Sequence, residues 1–207
     1  MSKLSSIQRE VLVGILLGDA NLQTFNHGRT YRLRCLQSEK HKEYLYHLFD
    51  IYKNISNSGP HHLQEVVSHT DIRYEKDINK RYNKYYFNTL TSSSFRFYAQ
   101  SFYLNGVKMV PYYIERLLTP RSLAYWFMDD GSLKWRDHSK GFRFCTDSFT
   151  YRDVCLLSTV LQKKFHLATS IVKNRNSHRI SILSQSHDHF RNLISPYIID
   201  SMKYKIA

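Results

Sequence analysis

The chain has 207 residues, 42% of them hydrophobic, enough for one sizeable core or two small ones and too apolar for a disordered chain. No apolar run reaches the length of a membrane span, Met1-Ser2-Lys3-Leu4-Ser5-Ser6 lacks the long apolar region of a secretory signal, and three cysteines (Cys35, Cys145, Cys155) without CxxC spacing count against a disulfide scaffold or a thiolate zinc site. An intracellular, reducing setting is expected, and 30 Lys and Arg against 17 Asp and Glu, a net charge of +13, point to a polyanion such as nucleic acid rather than a membrane surface.

In chain order, the run Leu12 to Leu22 predicts a buried helix that starts near Ser5 or Ser6 and stops at Gly18. Residues 30–35 then alternate: Tyr31, Leu33 and Cys35 take one face of a strand, Arg32 and Arg34 the other. A helix around residues 42–52 follows. The polar stretch 54–83, with Pro60, His61 and His62, has no clear period and reads as a loop or weak strands. Residues 105–118 are a candidate linker, dividing the chain into 1–104 and 119–207. A second apolar helix starts at Thr119 (N-cap) and Pro120 (first helical position) and stops at Gly131. Beyond it Leu133 and Trp135 oppose Lys134 and Arg136, and Phe142 and Phe144 oppose Arg143. A helix at 151–165 precedes Ile180 and Ile182, which oppose Arg179 and Ser181. This alternation means antiparallel sheets with one core face and one cationic face.

The two apolar helices are diverged copies of one motif, starting 111 residues apart at Leu12 and Leu123 and ending in Asp19 and Asp130. One Asp-Asp-Gly at a helix end means no more than a solvated cap. Two copies, each at the unfavourable negative end of a helix dipole, mean more. Both helices are too apolar to be exposed on most sides, and packing them together would set Asp19 beside Asp130. Two such carboxylates repel unless neutralised. Magnesium, bound through one or two carboxylates, water and substrate phosphates, fits that need and phosphodiester hydrolysis.

The segments Leu12-Val13-Gly14-Ile15-Leu16-Leu17-Gly18-Asp19-Ala20 and Leu118-Thr119-Pro120-Arg121-Ser122-Leu123-Ala124-Tyr125-Trp126-Phe127-Met128-Asp129-Asp130-Gly131 resemble the paired motifs of the LAGLIDADG homing endonuclease family, in its single-chain, two-motif form. The C-terminal Ser195-Pro196-Tyr197-Ile198-Ile199 and Met202-Lys203-Tyr204-Lys205 match in kind. The resemblance implies an α+β fold of two pseudo-symmetric αββαββα halves, with the motif helices at their interface and a saddle of antiparallel sheets on the DNA major groove. It implies a monomeric, intron-encoded endonuclease that uses two or three Mg2+ ions, with Mn2+ able to substitute. Such an enzyme cuts both strands of a long asymmetric site, leaves 3′ overhangs, and is of organellar, mitochondrial origin. Metal would be held by the side chains of Asp19 and Asp130 and the backbone carbonyls of Gly18 and Asp129. Lys108 and Lys205 would be the basic catalytic residues, 89 and 75 residues after Asp19 and Asp130. The first motif departs from the family pattern, with Gly18 where a second acid is common. Small Gly14 and Gly18 allow close approach in the first helix, while Tyr125 and Trp126 occupy the second, so an asymmetric interface is expected.

For DNA contact the expected residues are Arg32, Arg34, Lys134, Arg136, Arg143 and Arg179 from the strands, Lys173 and Arg175 from a strand or turn, and Gln23 and Gln37 as readers of adenine. His61-His62 and His187-Asp188-His189 lack a zinc or nuclease spacing and read as surface loops. Two other classes stay open: an RNA-binding intron maturase, and a non-catalytic DNA-binding regulator. A regulator has no need of Asp19, Asp130, Lys108 and Lys205 together.

Overall fold

Ser5 opens the first helix with a capping box. Its hydroxyl accepts from the Gln8 N–H at 3.1 Å, and the Gln8 side-chain oxygen accepts from the Ser5 N–H at 2.9 Å. The computed structural model describes the backbone of residues 3–66, 81–135 and 139–207, and the side chains of all these except 66, 134, 135, 139 and 140. By contact the chain forms two compact units, one of Ala20–Phe95 and one of Lys3–Asp19 with Arg96–Ala207.

In chain order the elements are α1 (Ser6–Leu17), β1 (Asn21–Gln23), β2 (Arg32–Ser38), α2 (Lys42–Tyr52), β3 (His61–Val66), β4 (Arg81–Asn88), α3 (Arg96–Phe102), β5 (Tyr103–Leu104), β6 (Val107–Lys108), α4 (Ile114–Leu117), α5 (Pro120–Asp130), β7 (Gly131–Trp135), β8 (Ser139–Phe144), α6 (Tyr151–Phe165), β9 (Thr169–Asn174), β10 (Ser177–Ile182) and α7 (His187–Ile194). The order αββαββα therefore occurs twice, with β5, β6 and α4 between the copies, and the α+β expectation holds. The candidate linker 105–118 carries β6 and α4.

In the first unit an antiparallel sheet runs β1-β2-β4-β3. Leu33 and Cys35 of β2 and Phe87 of β4 are buried on one face, with Tyr44, Leu45, Leu48 and Tyr52 of α2. Cys35 lies directly across from Phe87, and Arg34 from Asn88, so Arg34 belongs to the opposite face. The stretch 54–83 is partly strand: β3 pairs with β4 from His61↔Tyr86 to Val66↔Arg81. Sequence did not reveal β4, because Tyr82, Tyr85, Tyr86 and Phe87 put aromatic residues on both phases and only Phe87 is buried.

In the second unit α1 packs against α5, and an antiparallel sheet runs β7-β8-β10-β9. Thr119 caps α5 by accepting from the Ser122 N–H at 3.2 Å, with Pro120 in the first turn. The aromatic residues of α5 divide by direction. Trp126 stacks on Phe144 with centroids 4.0 Å apart, and Phe127 meets Phe142, Phe144 and Phe190 edge-on. Tyr125 instead faces α1 at Gly14, where an added Cβ would sit 2.8 Å from the Tyr125 Cβ and 2.3 Å from the Ser122 carbonyl oxygen. The two backbones approach this closely because residue 14 has no side chain. Glu10 of α1 joins the start of α5, accepting from the Thr119 hydroxyl at 3.0 Å and pairing with Arg121 at 3.4 Å.

Candidate active site

The C-terminal ends of α1 and α5 lie together. Helices leave their last carbonyls without intrahelical partners, and here lysines supply donors. Lys108 on β6, across from Tyr103 in the short β5–β6 hairpin, donates to the Gly18 carbonyl at 2.7 Å. That hairpin turns through Asn105 and Gly106, both at positive φ (51° and 80°), as a tight two-residue turn requires. Lys205, in the 3-10 turn Asp200–Lys205, donates to the Met128 carbonyl at 2.5 Å and to the Asp129 carbonyl at 3.1 Å. Only 8% of Lys205 is exposed.

The carboxylates sit at the same ends. The backbone N–H of Asp19 donates to the Asp129 carboxylate at 3.1 Å. Gly18 permits this: an added Cβ would lie 2.3 Å from that carboxylate oxygen. Asp19 is exposed, whereas Asp129 and Asp130 are half-buried. Burial and the neighbouring Asp19 charge push the Asp130 carboxyl up to about 7, against the pull of Lys108 and Lys205. Burial also lowers Lys108 and Lys205, opposed by Asp19, Asp129 and Asp130. Asp19, Asp130, Lys108 and Lys205, the four catalytic residues expected from sequence, thus fall in one electrostatic cluster within the second unit.

The donor set suits a hard divalent cation. It offers two neighbouring carboxylates and the carbonyl oxygens of Gly18 and Asp129, both now hydrogen-bonded to lysine. Among the described residues no three His, Cys, Asp or Glu side chains cluster as a metal cage. Water and substrate phosphate oxygens would therefore complete the shell, as magnesium favours. The histidine clusters have other partners: His187 and His189 hydrogen-bond the carbonyls of Ile182 and Phe165, and His61 and His62 lie against Tyr86 and Tyr85.

The expected DNA contacts divide by strand phase. In the first unit Gln23 and Arg32 are cross-strand partners, and the Gln23 oxygen accepts from Arg32 Nε and Nη2 at 3.1 and 2.9 Å. Arg34, on the same phase, lies over the Tyr86 ring at 4.8 Å. Gln37 departs from the expectation: it shares the phase of Leu33 and Cys35, is only 7% exposed, and contacts His41, so it faces the covered side. In the second unit Ser181 pairs with Arg143, which puts Arg179 and Arg143 on the face opposite Phe142, Phe144, Ile180 and Ile182. Lys173 also departs, because its pairing with His178 gives it the phase of Ile171 and Ile180; it is exposed at the strand end. Arg175 occupies the β9–β10 turn at φ 52°. Lys134 lies on β7 but its side chain is outside the described residues, as is the whole of Arg136.

Two contributors are not evident from sequence. Tyr86, beneath Arg34, belongs to the strand that lacks a readable period. Asp147, in the turn after β8, receives a fork from Arg179 Nε (2.8 Å) and Nη2 (2.5 Å). Nothing in the local sequence marks that aspartate.

Comparison with known proteins points the same way. A model of the LAGLIDADG DNA endonuclease family matches residues 9–190. The chain is 34% identical over 215 aligned residues to the DNA endonuclease I-ChuI of Chlamydomonas applanata, covering 99% of this chain and 96% of that protein. It is 31% identical to the cytochrome b mRNA maturase bI2 of Debaryomyces hansenii, over 96% of this chain and 72% of the maturase. Its fold matches the solved structure of the homing endonuclease I-WcaI bound to its DNA recognition sequence, with a TM-score of 0.90 at 28% identity, over 100% of this chain and 88% of that one.

Proposed function

We propose that this chain, which belongs to the LAGLIDADG DNA endonuclease family, is a single-chain homing endonuclease that cuts both strands of a long asymmetric DNA site and depends on divalent metal. The endonuclease reading follows from family membership and from relatives matched along nearly their full length. The observation that carries the catalytic reading is the meeting of Asp19, Asp129 and Asp130 with Lys108 and Lys205 at the joined ends of α1 and α5.

Asp19 and Asp130, with the Gly18 and Asp129 carbonyls, would hold Mg2+ ions, with Mn2+ as a substitute. The bound cation supplies acidified water and neutralises charge at the leaving oxygen. Lys108 and Lys205 set fixed positive charge beside that centre, where charge builds on a phosphate in transfer. The exposed Asp19 and half-buried Asp130 make the two carboxylates unequal, so the strands need not be cut at equal rates. Cutting leaves 3′ overhangs, and the net charge of +13 draws the polyanion.

The test is a magnesium-dependent cleavage screen on a randomised duplex library, followed by D19N and D130N on the selected site. Each variant should lose double-strand cutting yet hold DNA in Ca2+. Normal cutting by either overturns the assignment. A second reading, an RNA-binding intron maturase, is favoured by the match to the cytochrome b mRNA maturase. Splicing of a cognate intron by a cleavage-dead variant would reveal it. That relative also supports a mitochondrial origin.

A further inference from the structure

We propose that Asp147 is a positioning residue that holds Arg179 ready to read a guanine from the open face of the β7-β8-β10-β9 sheet. This rests on the DNA-binding reading above.

A guanidinium has five N–H donors in a rigid plane. Arg179 gives Nε and one Nη2 hydrogen to Asp147. The other Nη2 hydrogen and the Nη1 pair lie on the far edge of the same plane. Two parallel N–H groups on that edge match the O6 and N7 acceptors that guanine alone presents in the major groove. A free arginine would lose rotamer freedom on reaching a base; this one is already aimed.

Asp147 is itself fixed from several sides. It accepts from Asn174 Nδ2 at 3.1 Å and from the Ser177 hydroxyl, the pair that closes the β9–β10 hairpin. The preceding residue is anchored too, with the Thr146 hydroxyl donating to the His178 carbonyl at 2.6 Å. Although partial burial opposes ionisation, hydrogen bonds from Arg179, Ser177 and Asn174 bring the Asp147 carboxyl down to about 2. A carboxylate on a face meant for phosphates repels them, and here Arg179 neutralises its charge. The first unit holds Arg32 in the same way, with the Gln23 oxygen accepting from Nε and Nη2. Gripping an open-face arginine by those two nitrogens thus occurs in both sheets.

The experiment compares base preferences of the unaltered chain, R179A, R179K, D147N and D147S on a randomised duplex library in Ca2+, with the thermal midpoint of each variant recorded. The unaltered chain should show a guanine preference that R179A abolishes at one position. R179K should keep affinity within a few fold and lose that preference, since it retains charge but not the fork. D147N and D147S should weaken the same preference about tenfold and leave other positions unchanged. If R179A alters no position, or if the Asp147 variants lower the midpoint while guanine selection stands, the proposal is overturned. If the unaltered chain selects no DNA at all, the DNA-binding reading fails instead.

Discussion

The backbone N–H of Asp19 donates to the carboxylate of Asp129 at 3.1 Å, joining residues 110 positions apart. The contact needs bare backbone at Gly18, where a Cβ would overlap that carboxylate. The second acid of the α5 motif therefore has a structural role, since one motif's aspartate fastens the other motif's end.

Gly14→Ala and Gly18→Ala should both destabilise the chain. At Gly14 the added Cβ meets the Ser122 carbonyl oxygen at 2.3 Å, part of the α5 backbone, so the helices must part. A loss of about 1–3 kcal/mol in urea unfolding is expected. At Gly18 the added Cβ meets the Asp129 Cβ at 2.4 Å as well as its carboxylate, and a Cβ moves only with the α5 backbone, so a comparable loss is expected there, together with a loss of cleavage. Unchanged stability in either variant would contradict this packing account.

Lys205→Met should lower stability in EDTA by about 1–3 kcal/mol, because the carbonyls of Met128 and Asp129 lose a buried donor. Ca2+ should restore part of the loss, since a cation can meet the Asp129 carbonyl. Unchanged melting without metal would show that Lys205 does not cap α5.

Metal binding should tighten as pH rises through about 7. The folded, metal-free Asp130 carboxyl lies near 7 rather than the ordinary 3.8, so between these values the folded chain holds a proton that the unfolded chain has released. That proton stabilises the metal-free fold at low pH, and the contribution fades as pH climbs from about 4 to about 7. A cation needs the ionised form, so the two trends oppose each other. Titrations with Mn2+ at pH 6 and pH 8 should show stronger binding at pH 8, with the difference reduced in D130N. A pH-independent affinity would contradict the assignment.

DNA affinity should fall steeply with salt, because phosphate contacts release counterions. Arg34→Ala and Arg143→Ala should each flatten the logarithmic salt slope by roughly one unit if each contacts phosphate. Gln37→Ala should leave both slope and base preference unchanged, as its side chain faces the covered side of its sheet.

The chain's local order fixed much of this protein. The Thr119-Pro120 start, the alternation through Leu33 and Cys35 and through Phe142 and Phe144, and the repeated apolar helix ending in aspartate are signals a few residues long. Short-range geometry alone makes them readable. Tertiary structure decided what depends on distant partners: that β4 is a strand despite aromatics on both phases, that Lys205 caps α5, and that Asp147 grips Arg179. Each of these follows from pairing across tens of residues. Hydrogen bonds and burial there favour a partner whose nearness no local pattern records.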